Sequence, residues 1–332
     1  MRASGAAPRN LRLLPKAHLH IHLDGAMRPF TLKELAKREG FRPPTIRHYG
    51  DFAAFGETIE AAARVIKTEE DVRRLVREVA EDAHQDGVVW LELSVWPGFL
   101  RGRLGSSEDV MALLLDAGQQ ATSDGNIDLS WMLAANRNRG PGEAVEAAKL
   151  AAGLVDRGVV SFGLDGDEAA FPPDPFEEAY SLARRAGLRS TPHAGELLGP
   201  GSVRTALDRL GADRILHGVR AAEDEALMLR LASSGTCLDV CPSSNDMLGV
   251  VPEGEPHPLP RLLHAGVRCS LNADDPLLFG VGILDEYVRA REQMLLDDND
   301  LATLARSSLE ASAAPSSIVE AGLLSIDDWL AA

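Results

Sequence analysis

Three of the nine histidines fall within five residues, in Lys16-Ala-His-Leu-His-Ile-His-Leu-Asp-Gly25. Side chains alternate along a strand, so an extended stretch here turns His18, His20 and His22 to one face and Leu19, Ile21 and Leu23 to the other. Two imidazoles two positions apart can reach one cation, and the spacing leaves open which two of the three do so. The competing reading is a polar strand face of hydrogen-bonded histidines. Thr191-Pro-His-Ala-Gly-Glu196 puts His193 at the end of an apolar segment, and its Ala-Gly step lets the backbone turn so that Glu196 faces the same cavity. His217, in Ile215-Leu-His-Gly-Val219, reads by itself as a core histidine and gains a role only from its context. In Ser270-Leu-Asn-Ala-Asp-Asp-Pro276 the adjacent Asp274 and Asp275 repel unless a cation or a proton lies near. One of them can instead cap a helix that begins at Pro276.

Imidazoles with a carboxylate form a nitrogen and oxygen donor set that suits Zn²⁺. The rival, Cys237-Leu-Asp-Val-Cys241, puts two thiols on one strand face, but no second pair completes a structural zinc site. Cys237, Cys241 and Cys269 are read as small buried hydrophobes. The following Cys241-Pro-Ser-Ser-Asn245 is either a strand-end loop touching ligand or a plain turn. A further zinc-site signature, H-x-E with P-C-x-x-C, is absent from the chain.

These residues need elements to position them. Short apolar segments at Ala17–Leu23, Gly87–Val95, Leu129–Ala135, Val159–Leu164, Arg189–His193, Arg214–Gly218, Thr236–Val240 and Val267–Asn272 read as strands. Helical patterns alternate with them, such as Asp71–Asp86, Asp109–Thr122, Gly142–Asp156, Asp174–Ala186, Ser202–Leu210 and Glu223–Ala232. Alternation argues an α/β fold with a parallel sheet, and eight strands predict a (β/α)8 TIM-type barrel; a doubly wound open sheet is the alternative. In such a barrel the site is built from the carboxyl ends of strands, where these residues fall. The interval 24–86 is too long for one connection. It holds helix near Thr31–Glu39, a break at Pro43–Pro44 and helix again from Phe52 to Ala80, and is expected to lie over the barrel mouth. Two or three helices follow Asn272. No linker interrupts the chain, so residues 1–332 are expected to form a single domain.

The 34 basic and 50 acidic residues leave a formal charge of −16, which repels phosphate backbones and anionic lipid. Nucleic acid and membrane are therefore not expected as partners, and a small ligand is. An odd, small number of cysteines suits a reducing compartment. The start Met1–Asn10 has no apolar run like that of an export signal, so the cytoplasm is the expected location. Oligomeric state is not readable.

Together, His20-Ile-His22-Leu-Asp-Gly, His193-Ala-Gly-Glu196, His217-Gly and Ser270-Leu-Asn-Ala-Asp-Asp-Pro276, in that order, resemble the adenosine deaminase branch of the amidohydrolase superfamily. The similarity runs from about Leu14 to the helices after Pro276. It implies a (β/α)8 barrel holding one zinc per chain through His20, His22, His193 and Asp274, with His18 outside that set. It implies that Glu196 donates a proton to a purine ring nitrogen and that His217 orients or deprotonates the metal's water. Asp275 would hold purine and water, Asp24 a ribose hydroxyl, and the backbone of Gly166 in Leu164-Asp-Gly-Asp-Glu168 the purine. A binuclear relative would want a lysine carbamate, and the mid-chain Lys149 falls in a helical pattern, so one metal is expected. The implied reaction is hydrolytic removal of the 6-amino group of an adenosine-like nucleoside, with ammonia released. Free adenine, or a 5′-substituted adenosine such as aminodeoxyfutalosine, is the alternative substrate. Leu91-Glu-Leu-Ser-Val-Trp-Pro97 departs from the Arg and Ser often found after this Glu, and 244–251 also differs. Asp24, rather than the Glu common in adenine deaminases, favours a nucleoside. A purine-binding protein without catalysis is the alternative from another class.

Overall fold

The computed structural model describes residues 8–46, 49, 51–123 and 125–332; the first seven residues of the stretch read above as lacking an export signal lie outside them. Eight strands form one sheet in sequential order: β1 (Lys16–His22), β2 (Val88–Val95), β3 (Asp128–Asn136), β4 (Val159–Asp165), β5 (Arg189–Ala194), β6 (Arg214–His217), β7 (Cys237–Val240) and β8 (Cys269–Leu271). Every neighbouring pair is parallel. The sheet turns back on itself just past β8. The His22 amide donates to the Asp274 carbonyl at 2.9 Å, and the Asp274 amide donates to the His20 carbonyl at 3.1 Å, forming a parallel bridge. Sequential order with this return makes a barrel and excludes the open doubly wound alternative, whose strand order reverses.

The strands are apolar because both faces are covered. β1, β6 and β7 are buried along their whole length. Across the barrel, Arg214 is fully buried and pairs with Glu92 at 2.7 Å and Asp239 at 2.9 Å, joining β6 to β2 and β7. Helix Asp298–Ala311 packs on β1 and β8, and its Ser308 hydroxyl accepts the Ala17 amide at 2.9 Å. Among the described residues, no helix is long and apolar enough to cross a membrane.

The long interval after β1 carries helices Pro29–Arg38, Phe52–Ala63 and Glu69–Gln85. The helical stretch expected from Phe52 to Ala80 is therefore two helices, and the cause of the break is local. Thr68 caps the third helix, and Asp71 accepts from the Lys67 and Thr68 amides and from Arg38, which pins a sharp new start. Four helices, the first a single turn at Pro276–Phe279, close the chain where two or three were expected. The expected helix Ser202–Leu210 begins at Pro200 and ends in a wider π turn over Ala206–Leu210.

Candidate active site

The carboxyl ends of the strands bring distant residues into one buried cluster. β1 supplies His20 and His22, β4 ends on Asp165, β5 carries His193 and β6 ends on His217. Asp274 enters from just beyond β8. Candidate ligand atoms of His20, His193, His217 and Asp274 lie within 4.8 Å of one another, and so do those of His22, Asp165 and His193. One Asp274 oxygen is 3.3 Å from His20 Nε2 and 3.4 Å from His22 Nε2, and the other is 3.7 Å from His217 Nε2. Asp165 faces the opposite side, 3.4 Å from His193 Nδ1 and 3.7 Å from His22 Nδ1. Of the four residues carried over as zinc ligands, His20, His193 and Asp274 fall in one group, whose fourth member is His217, whereas His22 groups with Asp165 and His193 and reaches the first group through Asp274.

Hydrogen bonds sort these imidazoles by role. His20 Nδ1 lies 3.1 Å from the Asp239 carbonyl, which only accepts, so Nδ1 carries the hydrogen and Nε2 keeps a lone pair turned into the cluster. His18 instead spends Nε2 on the Ala273 amide at 3.1 Å and stands outside the group. His20 Nε2 and His193 Nδ1 are buried without a hydrogen-bond partner. Orphaning such an atom costs about 1–3 kcal/mol. A cation among these lone pairs removes that cost, so the donor set fits a divalent metal such as zinc. Burial holds His22 down at about 4 and His217 at about 3, and His193 also well below its usual value, so these imidazoles are neutral.

Backbone strain concentrates here. Outside glycine, positive φ among the described residues occurs at His217 (62°), Asp274 (59°) and Leu295 (59°). Two of the three are cluster members, held in a costly conformation that the closing bridge and the β6 turn impose.

Glu196 is buried, with one oxygen 3.5 Å from His217 Nε2. Burial, with Asp274 and Glu168 nearby, pushes its carboxyl well above the ordinary range, which favours its protonated form. Asp275 is pushed up by burial and by Asp274, and its Oδ1 is buried without a partner. Its close neighbour explains the glycine of the first motif: a Cβ on Gly25 would lie 1.7 Å from Asp275 Oδ1. Burial pushes Asp24 up to about 6 and, with Asp24 beside it, Asp165 up to about 8. Gly166 has φ +100°, and a Cβ there would press on Asn138 at 2.5 Å.

A cavity of about 460 Å³ opens from this cluster. His22, His193, Glu196, His217, Asp274 and Asp275 line it together with Asp24 and Gly166. Phe52, Phe55 and Ile59 of the helix after Tyr49 form part of its outer wall, so the insertion does lie over the barrel mouth.

Three functional residues escaped the sequence reading. Asp165 was passed over beside Gly166, although a carboxylate ending a barrel strand is itself a signal. Glu168 is fully buried and accepts the amides of Gly195 (2.7 Å), Glu196 (3.0 Å), Leu197 (2.6 Å) and Leu198 (3.0 Å) as well as the Ser202 hydroxyl. It holds the loop that carries Glu196, and only the fold brings these partners together. Asn245 lies in the loop left open between ligand contact and plain turn, which forms the short helix Pro242–Met247. Leu259 donates its amide to His257 Nδ1, so His257 Nε2 donates to Asn245 Oδ1 (3.2 Å), and Asn245 Nδ2 donates to His217 Nδ1 (3.2 Å). Neutral His217 consequently presents an Nε2–H to the cluster. The cysteines are buried and free, as expected, and Lys149 pairs with Glu146 on the exposed outer helix.

Comparison with known proteins agrees with this geometry. The adenosine deaminase family profile matches residues 15–329. A Streptomyces coelicolor protein provisionally named adenosine/adenine deaminase is 44% identical, over 98% of this chain and 99% of its own. The crystal structure of adenine deaminase from Arthrobacter aurescens superposes with a TM-score of 0.88 at 30% identity, covering 96% of this chain and 99% of that one. An amidohydrolase from Burkholderia ambifaria with bound zinc does so at 0.85 and 26% identity, covering 97% and 94%.

Proposed function

The chain belongs to the adenosine deaminase family of hydrolases acting on C–N bonds, and we propose that it removes the 6-amino group of an adenosine-like purine nucleoside as ammonia, using one zinc per chain. The observation that carries this reading is the buried carboxyl of Glu196 set 3.5 Å from His217 at the edge of the histidine and aspartate cluster. His20, His22, His193 and Asp274 would hold the metal. When bound, zinc supplies the Lewis acidity that makes water a nucleophile near neutral pH.

The chain's own residues do the rest. Attack at the amino-bearing ring carbon breaks aromatic conjugation, and charge builds on the adjacent ring nitrogen. Glu196 gives its proton there. The chain through Asn245 supports orientation, rather than deprotonation, as the role of His217, since it leaves an Nε2–H turned toward the cluster. Asp275, with its unpartnered oxygen, accepts from the water and holds the purine. The C–O bond forms as the water's proton passes by way of Asp275 to the amino group; the C–N bond then breaks, the new hydroxyl returns its proton to Glu196, and ammonia leaves. Asp24 takes a ribose hydroxyl and the Gly166 backbone the base edge, which supports a nucleoside over free adenine, as does a cavity that continues outward to Phe52 and Phe55.

The test is a panel of adenine, adenosine, deoxyadenosine and 5′-substituted adenosines, read by ammonia release and loss of adenine absorbance. The nucleosides are expected to be turned over fastest; fastest turnover of adenine would assign the free base instead. Glu196→Gln is expected to keep nucleoside binding while lowering kcat by about 10²–10⁴-fold. Turnover unchanged in Glu196→Gln excludes the acid role, and zinc-loaded protein inert toward the whole panel excludes the reading.

A further inference from the structure

The floor of the cavity is lined by acids, but its outer part is not. Arg64 and Lys67, just beyond helix Phe52–Ala63, line it with Arg103 and Arg139 from the loops after β2 and β3. Glu60 is the carboxylate that the same helix adds to this lining. Four cations against one acid reverse the balance of a chain with 34 basic and 50 acidic residues.

Among the described residues, none of the four cations is in an ion pair. Arg103 spends its hydrogens on carbonyls instead, donating to Ala63 (2.8 Å), Ile66 (3.1 Å) and Phe99. It thereby ties the carboxyl end of the helix to the loop after β2 with its charge uncompensated. Burial and the charge of Arg64 both lower its proton affinity, which marks two guanidinium groups crowded together without a counterion. Arg139 lies over the Trp96 ring, 5.4 Å from its centroid, and Trp96 also lines the cavity. Some arginines elsewhere on this acidic surface find carboxylates, as Arg73 does in Asp116 and Arg28 in Asp82, and others do not; what sets these four cations apart is that they line one cavity together. Cations left unpaired around one opening suit a ligand that brings the missing negative charge.

We propose that this outer region is an anion subsite, and that the substrate is an aminopurine nucleoside bearing an acidic group, carboxylate or phosphate, on the side of the sugar away from the base. Phe52, Phe55 and Phe99 supply an apolar wall along the way. The inference rests on the nucleoside deaminase reading above and extends it from the base to the far end of the substrate.

The experiment compares kcat/KM for neutral and anionic members of one series: adenosine and 5′-methylthioadenosine against adenosine 5′-monophosphate and a 5′-carboxyalkylthioadenosine. The anionic compounds are expected to be preferred by at least about tenfold at low salt, chiefly through KM, with the preference shrinking as ionic strength rises. Whichever of the two anions is better identifies phosphate or carboxylate as the source. In an Arg64→Gln/Lys67→Gln/Arg139→Gln variant, which leaves the Arg103 tie in place, the ratio of anionic to neutral kcat/KM should fall by about tenfold or more. Turnover of the neutral compounds with no anionic preference, or a preference that survives the triple substitution, overturns the subsite and leaves the deaminase reading standing. Turnover of none of the four overturns both.

Discussion

Replacing Glu168 by Gln tests whether a residue with no atom in the cavity lining sets the position of the proton donor. The native carboxylate accepts four backbone amides and the Ser202 hydroxyl, with one oxygen serving Gly195 and Ser202 and the other serving Glu196, Leu197 and Leu198. A glutamine has one acceptor oxygen. With that oxygen toward Glu196, Leu197 and Leu198, its NH₂ meets the Gly195 amide donor to donor, while the Ser202 hydroxyl can rotate to accept. One buried N–H is then unpaired, which costs about 1–3 kcal/mol, and three charge-assisted bonds become neutral ones at roughly 0.5–1 kcal/mol each. The sum is about 2.5–6 kcal/mol, concentrated on the 195–198 turn. Part of it will appear as lost stability, at about 2–4 °C of Tm per kcal/mol for a domain approaching this size. Part will appear as movement of Glu196, for which a displacement of about 1 Å costs on the order of 100-fold in rate. Zinc content should stay at one per chain, because the His193 carbonyl is held independently by Arg137 at 2.7 Å. The assays are kcat on the best substrate of the panel, metal analysis and thermal unfolding of the same preparation. Wild-type kcat together with wild-type Tm would refute the assignment of Glu168 as the anchor of this loop. Zinc loss would show that the anchor serves the metal cluster instead.

Three further outcomes are expected. His20→Ala removes the imidazole whose Nδ1 is fixed by the Asp239 carbonyl; metal analysis should show zinc content well below one per chain, and full retention would mean that His217 or Asp165 takes its place. Arg214→Met strands Glu92 and Asp239 in the barrel, both fully buried, and should destabilise by about 3–5 kcal/mol in denaturant unfolding; a loss below about 1 kcal/mol would show that the network is dispensable. Lys16 is buried with its pKa lowered by burial from 10.5 to about 7, against the opposing pull of Asp86. Between those values the unfolded chain holds a proton that the folded chain has released. Stability therefore gains up to about 1.4 kcal/mol per pH unit from this group as pH rises above 7. Lys16→Met should flatten the rise measured by unfolding between pH 7 and 9, and an identical slope in the variant would exclude the effect.

The eight strands could be found from residue order because each is a short apolar run bounded by polar turns, and a strand covered on both faces must look that way. The His-x-His stretch, His193-Ala-Gly-Glu196 and the Asp274–Asp275 pair were visible for a similar reason. Local alternation and adjacency limit where such side chains can point, and a barrel collects strand ends at one rim. The break between Phe52–Ala63 and Glu69–Gln85 was missed because a capping Thr68 competes with continuous helical periodicity, and Arg38, from another helix, helps decide the contest.

Residue order alone therefore determined which groups are available for chemistry and which strand end each occupies. Tertiary structure decided what those groups are. His18 and His20 alternate identically along β1, yet one spends Nε2 on Ala273 and the other keeps it free because Asp239 holds its opposite nitrogen. Glu168 becomes the acceptor for a turn of amides and Glu196 a carboxyl pushed well above its ordinary range, although both are buried, because amides converge on the first and the second meets other carboxylates and low dielectric. A tautomer can depend on a partner 255 residues away, as that of His18 does on Ala273, and local sequence carries no record of a field that exists only once the barrel has closed.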